Sequence, residues 1–78
     1  MVKAYVLIET AVGQTTSVAE QLRGLNAVQS VDTVTGPFDV IVIVTGEDLD
    51  SLGDVVTDKI HLISGISNTL TCLILSGK

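Results

Sequence analysis

Residues 38–44 read Phe-Asp-Val-Ile-Val-Ile-Val, with no polar position after Asp39. In a strand, successive side chains point to opposite faces. A strand that is apolar at every position therefore has both faces covered, or it leaves an apolar face in water. A membrane helix does not account for the run: no apolar stretch in the chain exceeds five residues, and a spanning helix needs about 20. The chain must therefore supply a cover for each side of this strand, or share one with a partner.

The rest of the sequence supplies one cover. Val2 to Glu9 is rich in β-branched and apolar residues and reads as a first strand. Ser17 to Gly24 reads as a helix, with Val18, Leu22 and Leu25 on one stripe. Ser17 and Glu20 have capping-box spacing, while Gln14 and Thr15 are alternative starts. Val28 to Thr35 reads as a second strand, and Gly36-Pro37 signals a tight turn into the third, Phe38 to Thr45. Asp48 is placed to cap a second helix over about Leu49 to Leu62, with Leu49, Leu52, Val56, Ile60 and Ile63 as its apolar stripe. Ile66 to Leu75 reads as a fourth strand.

The order is β-α-β-β-α-β, with a faint internal repeat. A shift of 38 positions lays Val18 on Val56, Leu22 on Ile60, Leu25 on Ile63 and Val28 on Ile66. Two βαβ units of this kind predict an α+β, ferredoxin-like sandwich: a four-stranded antiparallel sheet with two helices on one face, in a single domain over residues 1–78. The helices cover one side only. The predicted cover for the other is a second copy, packed sheet to sheet.

Composition agrees. The chain is 46% hydrophobic and 17% charged, against about 25% charged in an average globular domain. A domain this small has a large surface for its volume, so low charge implies that some of that surface is shared. The net charge is −5, and the only cations are Lys3, Arg23, Lys59 and Lys78, scattered along the chain. Neither nucleic acid nor an anionic membrane is an expected partner. Residues 1–5 lack the long apolar stretch of a signal peptide, so a cytoplasmic location is expected.

Little in the sequence points to catalysis. His61 is the only histidine and reads as a surface residue near a helix end; Cys72 is the only cysteine and reads as a buried small hydrophobe. No metal site, cofactor or phosphate loop is expected. Asp50, Asp54 and Asp58 share one helix face and read as its solvated side. The residue out of keeping with its surroundings is Asp39, beside a turn and leading an apolar strand. It either caps backbone N–H groups of the turn or pairs with a ligand cation.

These residues form a pattern. Lys3-Ala4-Tyr5-Val6, Gly13, Leu22-x-x-Leu25-x-x-Val28-x-x-Val31, Thr35-Gly36-Pro37-Phe38-Asp39-Val40 and Leu62-x-x-Gly65-Ile66-x-x-Thr69-x-Thr71 follow in order over the chain. Together they resemble the effector-binding domain of the Lrp/AsnC feast/famine regulators, the RAM domain, whose turn usually reads Thr-Gly-x-Tyr/Phe-Asp. Pro37 stands where the family often has a polar or charged residue, and it removes one backbone donor.

The resemblance implies a stand-alone effector module without the family's helix-turn-helix. It implies assembly through the sheets, up to octamers, and possible partnership with full-length Lrp/AsnC paralogues. The implied effector is a small molecule, typically an amino acid, held in clefts between dimers. By match the implied ligand residues are Gly36, Phe38 and Asp39 of the turn, with Thr69 and Thr71 of strand four. The alternatives are a small dimeric ferredoxin-like enzyme and a purely structural oligomerisation domain.

Overall fold

The computed structural model describes residues 1–75. Four strands form one antiparallel sheet: β1 (Val2–Thr10), β2 (Val28–Thr33), β3 (Val40–Gly46) and β4 (Ile66–Leu73), in the order β2-β3-β1-β4. Helix α1 (Thr15–Arg23) joins β1 to β2, and α2 (Leu49–Val55) follows β3. This is the expected ferredoxin-like α+β arrangement.

Pairing register sorts the side chains into two faces, because residues directly opposite in an antiparallel pair lie on the same side. Ala4, Val6 and Ile8 pair with Val44, Val42 and Val40, and all six are fully buried. They pack against Val18 and Leu22 of α1 and against Leu52, Val56 and Ile60 further along the chain. Leu25, Val28, Ile63 and Ile66 pack at the edge of this core. The residues of the internal repeat therefore occupy equivalent places under the two helical segments.

The opposite parity is uncovered. Tyr5, Leu7, Ile41, Ile43, Leu70 and Cys72 share the other face through the pairs Tyr5–Ile43, Tyr5–Cys72, Leu7–Ile41 and Leu7–Leu70. Tyr5 is 44% exposed and Leu70 50% exposed. Cys72, expected to be buried, is exposed. Its strand lies at the edge of the sheet, and its side chain points away from the helices.

Several boundaries differ from the sequence reading. The turn between β2 and β3 is not tight: residues 34–39 form an open connection, closed by the Val34 N–H donating to the Asp39 carbonyl at 2.9 Å. Gly36 there has φ +142°, a conformation L residues avoid, and Pro37 has no N–H for a ladder. Helix α1 begins at Thr15 rather than Ser17, with Gln14 at its N-cap making no side-chain cap bond.

The second helix is α-helical only to Val55. Residues Val56–Ile60 form a π-helical turn, ended by the His61 N–H donating to the Val56 carbonyl at 3.0 Å. Val56 and Ile60 are both in the core. Leu49, read as part of the buried stripe, is the first residue of α2 and is 59% exposed. Asp48 does cap α2: its Oδ1 accepts from the Ser51 N–H at 2.8 Å. Gly65 (φ +101°) lets the chain enter β4, and a Cβ there would come within 3.0 Å of Gln14 and Val18 side-chain atoms.

Candidate functional site

The residues expected to hold a ligand fall into two groups, one on each side of the sheet. Gly36 and Phe38 belong to the first. With Leu7, Val34, Thr35, Pro37 and Ile41 they line a groove of about 460 Å³. Leu7 and Ile41 lie on the uncovered face, so this groove opens on that face. Its walls are apolar apart from Thr35 and the backbone.

Asp39 sits beside that groove, half-buried, and is tied to β1 twice. Its N–H donates to the Ile8 carbonyl at 2.9 Å, and its Oδ2 accepts from the Thr10 N–H, also at 2.9 Å. The carboxylate thus caps the backbone where β1 ends and its pairing with β4 shifts register. An ionised carboxylate accepts through both oxygens, so one such bond leaves lone pairs for a second partner.

Thr69 and Thr71 belong to the second group. They pair with Ile8 and Val6, so their side chains lie on the helix-covered face, on an edge strand the helices only partly cover. Thr71 lines a groove of about 290 Å³ between β4 and α2, with Leu49, Leu52, Gly53, Val56, Thr57 and Leu73. The Thr69 hydroxyl lies 3.0 Å from Nε2 of His61. That contact was not anticipated: His61, the residue that follows the π-helical turn, reaches β4. Nor was Gly53 expected in a groove wall, although a glycine inside a helical pattern is a signal in itself.

Within one chain the two groups do not meet. Strand β1 runs between β3 and β4, so Asp39 and Thr69 stand about two strand spacings apart, roughly 10 Å. Among the described residues no group of three His, Cys, Asp or Glu side chains is placed to hold a metal ion. No helix among them is long and apolar enough to cross a membrane. Outside both grooves, at the start of α2, the Asp48 carboxyl is held below its ordinary pKa by the hydrogen bonds from Ser51.

The fold and sequence have counterparts among known proteins. The chain is 34% identical over 61 residues to homocitrate synthase of Saccharolobus islandicus; the match covers 78% of this chain and 13% of that enzyme. It superposes on the crystal structure of TTHA0845 from Thermus thermophilus with a TM-score of 0.93 and 33% identity, covering 100% of this chain and 98% of that one. Escherichia coli AsnC matches with a TM-score of 0.90 and 25% identity, over 96% of this chain and 51% of AsnC. The Neisseria meningitidis transcriptional regulator NMB0573, solved as a complex with L-Met, shares the fold at a TM-score of 0.87 and 17% identity, over 97% of this chain and 51% of the regulator. A family model described as the Lrp/AsnC ligand binding domain matches residues 3–77, and the chain belongs to that family.

Proposed function

We propose that this chain is an effector-binding regulatory module that takes a free amino acid, works as an oligomer, and catalyses no reaction. The observation that carries this reading is the family match: one ligand-binding domain accounts for residues 3–77. The same unit makes up about half of AsnC and a small part of homocitrate synthase. A unit shared by a regulator and a biosynthetic enzyme is better suited to sensing a metabolite than to either protein's own chemistry. The fold relative solved with L-Met supports an amino acid as the ligand class.

The uncovered face of Tyr5, Leu7, Ile41, Ile43, Leu70 and Cys72 supports sheet-to-sheet pairing, because an apolar patch of this kind is unusual on a monomer. The same face on a full-length Lrp/AsnC paralogue would accept this chain. The separation of Asp39 from Thr69 and Thr71 supports a ligand cleft completed by more than one copy. In such a cleft Asp39 takes the ammonium group, the hydroxyls of Thr69 and Thr71 take the carboxylate, and Gly36 and Phe38 shape the wall. A ligand that prefers one assembly then shifts the population toward it.

The test is a calorimetric and thermal-shift screen of the protein amino acids, with light-scattering mass in parallel. Saturable binding by one or a few of them to an oligomer supports the reading. An oligomer that binds none of them overturns it and leaves a structural assembly domain.

A further inference from the structure

Along β1 the uncovered face is charged at its two ends and apolar between them. Pairing register sorts the side chains of this face into rungs across the strands. Lys3 and Thr45 form one rung, Tyr5 with Ile43 and Cys72 the next, Leu7 with Ile41 and Leu70 the third, and Glu9 with Asn68 the last. Among the described residues, Lys3 is the only cation in any strand. Its rung and that of Glu9 stand about 20 Å apart along β1. Strand β2 adds Ser30 beside Ile43 and Asp32 beside Ile41, so the face is polar along that edge too.

This pattern restricts how a second copy can cover the face. Two sheets packed face to face about a two-fold axis meet in one of two ways. An axis along the strands sets every rung opposite itself. The Lys3 rung then meets the Lys3 rung and the Glu9 rung meets the Glu9 rung, so like charges gather at both ends, a repulsive arrangement. An axis across the strands reverses the rungs and keeps β2 over the partner's β2, at a polar rim. The rungs of Lys3 and Glu9 exchange places, and so do the two apolar ones. One axis does both, because Val6 lies midway between Tyr5 and Leu7 and midway between Lys3 and Glu9. Tyr5 of the partner subunit then comes over Leu7, where the groove of Leu7, Phe38 and Ile41 is open to an aromatic ring. Sheet twist turns the facing strands by about 30° and leaves the order of rungs unchanged.

We infer that a second copy docks with the two β1 strands antiparallel, about a two-fold axis at the level of Val6, so that Lys3 pairs with Glu9 of the partner subunit at both ends of the interface. This rests on the sheet-to-sheet reading above. Glu9 Oε1 accepts from Asn68 Nδ2 at 3.3 Å, and the carboxylate keeps lone pairs for a further donor. Lys3 is exposed, and its long stem lets the ammonium follow the partner's carboxylate.

The experiment is sedimentation equilibrium of the full chain over a dilution series in low salt, with urea added where dilution alone does not dissociate it. The variants are Lys3→Glu, Glu9→Lys and the double exchange, each checked by circular dichroism. Within one chain the two positions are farther apart than the Debye length of about 10 Å at 0.1 M salt, so coupling between them reports on the partner. Each single exchange sets like charges opposite each other at both ends and is expected to weaken association at least fivefold. The double exchange restores opposite charges and is expected to return to within twofold of the wild type. Net charge alone predicts a different pattern: on a chain of charge −5, Lys3→Glu would loosen association and Glu9→Lys would tighten it. That pattern overturns the inference and leaves sheet-to-sheet pairing standing. So do single variants that associate like the wild type, and a double variant no tighter than the singles. Lys3→Gln and Glu9→Gln, each expected to weaken association about twofold, replace any exchanged variant that does not fold. A wild-type chain that is monomeric throughout brings down both the inference and the pairing on which it rests.

Discussion

The two faces of this sheet are built from the same kinds of residue and meet different fates. On β3, Val40, Val42 and Val44 are fully buried beneath the helices, while Ile41 and Ile43, between them in sequence, lie on the uncovered side. On β1, Ala4, Val6 and Ile8 are buried and Tyr5 and Leu7 lie opposite. One face is closed within the chain and determines whether it folds. The other is left open and, in our reading, determines what it assembles with. Hydrophobicity alone does not distinguish them; position relative to the helices does.

Substituting adjacent residues of β3 tests this division most directly. Val42→Glu places a carboxylate among Val6, Val31 and the helix side chains with no partner. The expected loss is about 4 kcal/mol or more, enough to unfold a small domain. Circular dichroism should show loss of native structure at room temperature. Ile43→Glu puts the same group on the open face. The chain should keep its far-ultraviolet spectrum while light-scattering mass drops, because a carboxylate buried between two sheets would weaken association by about two orders of magnitude or more. A folded Ile43→Glu variant of unchanged mass would show that the face is not the interface.

The sequence made one face legible and left the other ambiguous, for a physical reason. The helical stripes and the internal repeat depend on local periodicity, and Val18, Leu22, Val56 and Ile60 all fall in the core where the pattern places them. An all-apolar strand carries no such signal, so nothing in residues 40–44 says which parity faces the helices. Apolarity alone misplaces two further residues: Leu49 opens α2 with its side chain exposed, and Cys72 lies on the uncovered side of an edge strand. The link between His61 and Thr69 was illegible because it joins a helix end to an edge strand in space, and the π-helical turn just before His61 leaves no mark in the apolar periodicity. Asp39 stood out by itself as a charged residue leading an apolar strand; the other ligand candidates came from a family resemblance, which names residues but not the faces on which they lie.

Asp39 stands where the two faces end, and its role can be separated from its stability contribution. Asp39→Ala frees the Thr10 N–H and should cost about 1–2 kcal/mol, seen as a lower urea midpoint. Asp39→Asn keeps an acceptor oxygen and should recover most of that loss. If the carboxylate also holds a ligand ammonium, both variants lose amino-acid affinity by calorimetry, the Asn variant despite its recovered stability. An Asn variant with native affinity would reduce Asp39 to a backbone cap.

The smallest expected effect concerns the cover of the closed face. Asp48 holds the first turn of α2 through the Ser51 N–H, and α2 carries Leu52 into the core. These hydrogen bonds favour the ionised carboxylate and hold its pKa below the ordinary 3.8. The native state thus binds this proton more weakly than the unfolded chain, so the stabilisation is fully present above the unfolded value. It is lost as pH falls from 3.8 through the lower native value. Asp48→Ala should therefore melt below the wild type at pH 7, and the gap should narrow as the pH is lowered through 3.8 and below. Both Leu49 and Gly53 ride on the helix that Asp48 starts, so the same variant should loosen the α2–β4 groove. Faster amide exchange across Leu49–Val55, with exchange in β3 unchanged, would place the effect in the cover rather than in the sheet. A gap that stays constant with pH would show that the missing side chain, and not its charge, accounts for the difference.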